Sequence, residues 1–231
     1  MFEWLGECIA AARGTATARE EGWQFVLHPP ASEEEARACE AALGIPLPPS
    51  HRAYLLRWDG AALFRLGSDA PGDFVSGGLE IAGTGELPAL NARLRADRYD
   101  PPEDWGRLIV GGEAPVGEGD VWGLNPDILS DGEYAVVDGW HEQGPDRWRR
   151  AVAAPSFEAW LRRAFDEALR TGNPYYWINA PEIRAVYDAC AAEDAARREA
   201  GEGRRAPTTE PSAVVFYHGE ARHEARRRDD G

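Results

Sequence analysis

The chain has 231 residues, 43% of them hydrophobic and nine of them tryptophan, which excludes disorder over most of its length. A chain of this size buries about 70% of its unfolded surface on folding, enough for a core without disulfides or metal. No run reaches the roughly 18 apolar residues of a membrane-spanning helix, and the first residues carry acids where a signal peptide has positive charge, so we expect a cytoplasmic protein.

The net charge is strongly acidic, with 40 Asp and Glu against 25 Lys and Arg and a formal value of −15. Every one of those 25 bases is arginine, and residues 201–231 are balanced, so residues 1–200 carry the whole excess. An acidic surface repels phosphate backbones, which argues against nucleic acid as a direct ligand. It would steer a basic protein, for example a nuclease-like one, although the same charge also serves solubility alone.

Two helices and a strand are predicted before the first proline-rich segment. Residues 1–13 have their apolar side chains on one side of a helix, and residues 24–27 form a short strand. Ser32 begins the second helix, with Glu35 as its capping-box partner, and Gly44 ends it.

The segment Leu47-Pro48-Pro49 cannot lie inside a helix, so it predicts a rigid connector that aims the next helix. That helix is expected to run to about Trp58, which we expect to pack in the core. Asp59-Gly60 then closes it with a turn. The opening part of the domain is therefore a helical hairpin with a proline elbow.

The middle of the chain alternates short apolar runs with glycine-rich turns, which is typical of an antiparallel meander. One helix interrupts it, marked by leucines in residues 87–94 and ended by Pro101-Pro102. The predicted strands are 62–66, 78–81, 107–110, 120–124 and 133–137, with a possible edge strand at 148–152.

The clearest helix signal follows Ser156, where apolar residues recur at helical spacing until Gly172. Its wide apolar face can cover a sheet. A further amphipathic helix is predicted around residues 183–190. Residues 201–211 read as a linker and 214–217 as an added edge strand, before a tail expected to be disordered.

These features, in this order, resemble one family. The acid-capped helix, Leu47-Pro48-Pro49, the helix ending in Trp58-Asp59-Gly60, and the closing helix after Ser156 are similar to the SUKH superfamily, nearest to its Smi/Knr branch. The resemblance covers residues 23–172. Asp59 and Ala61 stand where the family more often has Asn and a second Gly.

The predicted fold class is α+β: an antiparallel meander with helices packed at both ends, as the resemblance also implies, plus a C-terminal helical extension. We divide the chain into an N-terminal helix and lead-in (1–22), the SUKH-like domain (23–172), a helical extension (173–200) and a linker with tail (201–231). The extension has no counterpart in the resemblance.

The resemblance implies a binding protein rather than an enzyme. Bacterial proteins similar to this one mostly act as immunity proteins, which bind and block a toxin domain. A regulatory or scaffolding module of the same fold, with an unrelated protein partner, is the first alternative. A hydrolase that uses two acidic residues is the second, because a pair of carboxylates can cleave glycosidic bonds.

Patterns for metals are present but incomplete. Asp127, Asp131, Gly132 and Asp138 copy four positions of a calcium loop, but Leu129 occupies a position that needs an oxygen ligand. A turn with capping carboxylates is therefore the favoured interpretation.

His218 and His223 lie five residues apart, too far round a helix for the zincin motif. The cysteines Cys8, Cys39 and Cys190 form neither a zinc pattern nor a disulfide framework. We therefore expect no metal and no cofactor.

A partner surface is expected at the turns of the meander. If those turns share one edge of the sheet, their acids form a patch for a basic partner; a scattered, solvated rim is the alternative. Trp122 or Trp140 could be an exposed anchor beside it, since Trp is enriched at binding hot spots. The acids of this set are Glu113, Glu118, Asp120, Asp127 and Asp131.

Overall fold

The computed structural model describes residues 2–66, 78–97, 100–114, 119–178 and 180–200. The described residues contain nine helices and seven strands, all strand pairs being antiparallel. The helices are α1 (Trp4–Arg13), α2 (Ala16–Glu21), α3 (Glu33–Leu43), α4 (Pro49–Leu55), α5 (Leu87–Asp97), α6 (Pro102–Trp105), α7 (Pro145–Trp148), α8 (Phe157–Thr171) and α9 (Pro181–Glu199). The strands are β1 (Trp23–Leu27), β2 (Ala61–Leu66), β3 (Leu79–Ile81), β4 (Ile109–Glu113), β5 (Val121–Ser130), β6 (Glu133–Gly139) and β7 (Val152–Ala154).

The strands form two sheets rather than one continuous meander. The order is β1-β2-β3 in the first sheet and β4-β5-β6-β7 in the second. The sheets meet where the N–H of Ala82 donates to the carbonyl of Gly111 over 2.9 Å. Only glycine fits at the next position, because a Cβ on Gly112 would lie 2.0 Å from the carbonyl oxygen of Glu80. The α+β class is confirmed, with the meander broken at this joint.

The second sheet is buried on both faces. Successive residues of a strand point to opposite sides of the sheet, so they enter two different cores. Trp122 on β5 enters a large core with Trp160 and Phe157 of α8, whereas the preceding residue, Val121, enters a second core. The second core lies against the other face and includes Trp148 and Ile183. Helix α8 therefore covers one face, and α7 and α9 cover the other.

The helix signals read from the sequence are confirmed at the caps. The N–H of Glu35 donates to Oγ of Ser32 over 3.2 Å, and the N–H of Ser32 donates to Oε2 of Glu35 over 2.7 Å. This reciprocal capping box starts α3. Ser156 caps α8 in a similar way, by accepting from the N–H of Ala159.

Other local predictions differ from the structure. The lead-in after residue 13, for which no element is predicted, contains α2, because Thr15 caps a new helix by accepting from the N–H of Ala18. The expected edge strand at 148–152 is instead α7, a short turn and β7. Strand β5 continues past Asn125-Pro126 to Ser130. The predicted strand at 214–217 lies outside the described residues.

The predicted extension packs into the protein. The ring of Trp177 lies 4.9 Å from that of Trp160, between ring centroids, and is buried. On α9, Ile183 and Tyr187 belong to the second core. Within the described ranges, no helix is long and apolar enough to cross a membrane.

Candidate protein-binding surface

The acids predicted to share one edge lie at opposite ends of the second sheet. Glu113 and Asp120 flank the turn between β4 and β5, whereas Asp131 lies in the turn between β5 and β6. Consecutive hairpin turns of an antiparallel sheet alternate between its ends, and six steps along β6 span about 20 Å. Glu113 and Asp120 therefore do not form a single patch with Asp131. Glu118 lies outside the described residues.

Asp120 has a structural role at the end of the sheet where β4 and β5 are joined. Its side chain is nearly buried, and its Oδ1 accepts from the N–H of His141 over 2.9 Å. The same oxygen lies 2.7 Å from Nδ1 of His141. Asp120 therefore holds the chain where it leaves β6, and little of its carboxylate faces solvent.

Asp138 is also buried, one strand away from Asp120. Its Oδ2 accepts from the hydroxyl of Tyr187 over 2.8 Å, which ties α9 to the sheet. Burial raises the pKa of Asp138 to about 7, and the nearby charge of Asp120 acts in the same direction. Asp120 and Asp138 are thus neighbouring carboxylates, but both are enclosed and hydrogen-bonded, which does not favour the hydrolase alternative.

Trp122 is not an exposed anchor. It has no solvent exposure, and its Nε1–H donates to the carbonyl of Glu80 over 2.8 Å. Trp122 is buried because it begins an inward-facing row of β5 under α8. Trp140 is half-buried, with its ring 5.5 Å from that of Tyr187, so it contacts α9.

Glu113 lies near the joint between the sheets, not at a free edge. Burial is the main cause of the raised pKa of Glu80, and the charges of Glu86 and Glu113 raise it further.

Across the described part of the chain, no group of three or more His, Cys, Asp or Glu side chains is placed to hold a metal ion.

The other end of the sheet presents apolar side chains to solvent. Among the described residues only four large apolar side chains are exposed, and two of them are neighbours on β5: Ile128 at 40% and Leu129 at 63%. Asp127 and Asp131, both exposed, flank them. We call residues 127–131 the hairpin tip.

A shallow groove of about 300 Å³ adjoins the hairpin tip. The groove is lined by Ile128 and Ser130 of β5, by Ala135 of β6, and by residues 152–155, which comprise β7 and Pro155. The groove and the hairpin tip together are the candidate protein-binding surface.

A β-bulge creates the hairpin tip. Asn125 pairs with Ala135 and Leu129 with Tyr134, so residues 126–128 of β5 stand opposite no residue of β6. Such a bulge bends the strand and re-aims its side chains. The turn that follows has positive φ at Asp131 (53°) and Gly132 (79°), as in the type I′ turn that Asp-Gly favours.

Three contacts fix this bulge. Nδ2 of Asn125 donates to the carbonyl of Arg149 over 2.8 Å, and Oδ1 of Asn125 accepts from the N–H of Asp127 over 3.1 Å. The guanidinium of Arg149 in turn lies 2.7 Å from the Asp127 carboxylate. The exposed side chains therefore project from a braced backbone.

The proline elbow contacts the same hairpin and stabilises it. Pro48 is the N-cap of α4 and Pro49 its first residue, while the buried Leu47 anchors the connector. Next to Pro49, Ser50 donates two hydrogen bonds to the carboxylate of Glu133 at the start of β6. The predicted motif thus fixes the hairpin next to its turn.

Trp58, Asp59 and Gly60 form the joint between α4 and β2. Trp58 is half-buried against the first core rather than enclosed in it. The carboxylate of Asp59 accepts from the N–H of Thr84 over 2.6 Å and from its hydroxyl over 3.1 Å. Gly60 has a φ of 95°, and a Cβ there would lie 2.8 Å from the carbonyl oxygen of Ile81. These motif residues therefore act in folding.

The architecture defines an α+β domain in which two exposed apolar side chains, Ile128 and Leu129, lie at a groove or beside it, as in proteins that bind other proteins. The chain belongs to the SMI1 / KNR4 family (SUKH-1), whose model matches residues 30–163, more than half of its length. The resemblance read from the sequence is thereby confirmed. Family membership supports a protein-binding domain of the immunity or regulatory type. A search of curated proteins found no match.

Sequence reasoning missed the hairpin tip, although a signal was present. Asn-Pro-Asp at 125–127 looks like the end of a strand, so Ile128-Leu129 was assigned to no element. Two apolar residues between acids, directly before Asp131-Gly132, are unusual for a solvated turn.

Proposed function

We propose that this chain is an immunity protein, which binds a toxin domain in the cytoplasm of the cell that makes both and blocks its activity. The observation that carries the proposal is membership of the SMI1 / KNR4 family (SUKH-1). The chain acts by occupying a surface of the toxin, without catalysis of its own.

The charge of the chain supports a basic toxin. A formal charge of −15 in 231 residues produces an attractive field for a cationic domain, which speeds association. Toxins that cleave nucleic acids need cationic surfaces to hold phosphates, so a nuclease-like domain is the class that fits best.

The placement of the polar side chains supports binding over hydrolysis. The carboxylates of Asp59, Glu133 and Asp138 are each engaged in a hydrogen bond that joins two elements of the fold. These groups stabilise the domain, and the solvent-facing features left at the hairpin tip are suited to contact with another protein.

Growth rescue tests the proposal. The toxin is taken from the C-terminal module of a secreted protein encoded beside this chain, and it is expressed in a laboratory bacterium with or without the chain. We expect toxin alone to arrest growth and the chain to restore it. Continued arrest, with both proteins accumulating in soluble form, would overturn the proposal and favour a regulatory or scaffolding role.

A further inference from the structure

We infer that the hairpin tip is the surface that holds the toxin domain, and that the toxin presents an apolar pocket rimmed by arginine or lysine side chains. This inference rests on the proposed immunity function and adds to it a location and a partner chemistry. The juxtaposition of Ile128 and Leu129 with Asp127 and Asp131 carries it.

The apolar part of the surface is unusual for this chain. Val26 and Leu169 are the other exposed large apolar residues in the described ranges, and each is isolated on a different element. Ile128 and Leu129 instead are adjacent on one strand, and Ile128 also lines the groove together with small alanine side chains. Contiguous apolar surface with a polar border is typical of an interaction site, whereas scattered single residues are not.

The backbone under these side chains is held in place before any partner arrives. Asn125 and Arg149 brace the bulge, and Glu133 joins the hairpin to the N-terminal end of α4. A preorganised surface loses little conformational freedom on binding, which favours affinity. A bulge that several side-chain contacts stabilise is a specific feature of the fold.

The charges at the hairpin tip select a cationic partner. The exposed carboxylate of Asp131 makes no ion pair with any described residue. The carboxylate of Asp127 is also exposed, and it forms an ion pair with Arg149. An anionic rim on an apolar surface matches a cationic rim on the pocket that receives it. The groove, at about 300 Å³, has room for one or two side chains that the toxin inserts into it.

Calorimetric titration of the purified toxin domain into four forms of the full chain tests this inference. The forms are the wild type, the double variant Ile128→Ala/Leu129→Ala, Asp131→Asn and the matched control Leu169→Ala. Asn tolerates the left-handed backbone at position 131, so that variant removes only the charge. Circular dichroism checks that each variant is folded.

We expect the double variant to raise the Kd by about 100-fold and Asp131→Asn by about 3- to 10-fold, the latter with a weaker salt dependence. The Kd of Leu169→Ala should stay within about twofold of the wild-type value, because this change removes a side chain as exposed as Ile128 from a different element.

Two results would overturn the inference and leave the proposed function standing. One is a wild-type Kd for every variant at the hairpin tip. The other is a wild-type dimer that Leu129→Asp dissociates, which would mean that a second copy of the chain covers this surface. A wild-type chain that does not bind the toxin would instead refute the proposed function itself.

Discussion

Both carboxylate oxygens of Glu133 accept hydrogen bonds from Ser50, which lies 83 positions earlier in the chain. Oε1 accepts from the backbone N–H over 2.8 Å, and Oε2 accepts from the hydroxyl over 2.7 Å. Ser50 is buried, so these bonds satisfy donors that water would not reach easily. They connect the proline elbow with the hairpin, which is the link between the family motif and the candidate surface.

Replacing Glu133 with Ala should therefore destabilise the fold. The change leaves the buried N–H and hydroxyl of Ser50 without their partner, which costs about 1–3 kcal/mol in the free energy of unfolding. Urea denaturation measures that loss. Glu34→Ala, an exposed acid in the first turn of α3, is the control and should change stability by less than about 0.5 kcal/mol. Equal effects of the two changes would contradict the role of the Ser50 contact.

Glycine at the joint of the two sheets should be irreplaceable. A Cβ at position 112 would lie 2.0 Å from the carbonyl oxygen of Glu80 and 2.9 Å from Nε1 of Trp122. Gly112→Ala should thus force the sheets apart and lower the free energy of unfolding by about 3 kcal/mol or more.

The matched control for this change is Gly6→Ala in the first turn of α1. No atom lies within 4 Å of the added methyl there, so the exchange should stabilise the protein by about 0.5–1 kcal/mol. Thermal unfolding compares the two variants. A Gly112→Ala protein as stable as the wild type would show that the sheets do not meet in this way.

The buried carboxyl of Asp138 predicts a pH dependence of stability. Its folded pKa of about 7 lies above the ordinary value, so the folded state keeps a proton that the unfolded chain has already lost. This contribution to stability is complete below about pH 4 and is lost as the pH rises to about 7. The neighbours that share this site are Tyr187, Asp120 and, through Asp120, His141.

Asp138→Asn isolates that contribution, because Asn stays neutral and can still accept from the hydroxyl of Tyr187. We expect the variant to exceed the wild type by about 1–4 kcal/mol at pH 8 and to match it near pH 4. Urea denaturation across this range gives both curves. Parallel curves for the two proteins would mean that Asp138 ionises in the folded state as freely as in the unfolded chain.

Much of the fold could be predicted from periodicity and caps. The Ser32–Glu35 box, the helix after Ser156 and the strands of the first sheet all have local causes that a sequence displays. The division into two sheets could not be predicted, since it depends on the close approach of Glu80 to Gly112 over a long separation in sequence. Local patterns carry no information about that distance.

The candidate surface was predicted only in part. Asp127 and Asp131 lie at the surface now proposed, but the strand pattern gives no sign of their neighbours Ile128 and Leu129, because Asn125-Pro126 is typical of the end of a strand. Asp120 and Trp122 have residue types typical of binding sites, yet both face inward. Which face a strand residue takes depends on what packs above it, here α8, and that is settled by the whole fold.

The segment after the family match should contribute strongly to stability. Trp177 lies beyond residue 163 and is buried against Trp160, so Trp177→Ala should cost about 3–5 kcal/mol. Glu193→Gln on α9 removes an exposed, solvent-screened ion pair with Arg150 and should leave stability close to that of the wild type. Chemical denaturation of both variants provides the comparison. A mild effect of Trp177→Ala would show that the segment is loosely attached.

The decisive measurement is the activity of the purified toxin domain, titrated with the purified chain. We expect inhibition to rise linearly, to be complete at a fixed stoichiometry, and to weaken as salt screens the acidic surface. A toxin that keeps its full activity in a large excess of folded chain, at low salt, would contradict the proposed immunity function.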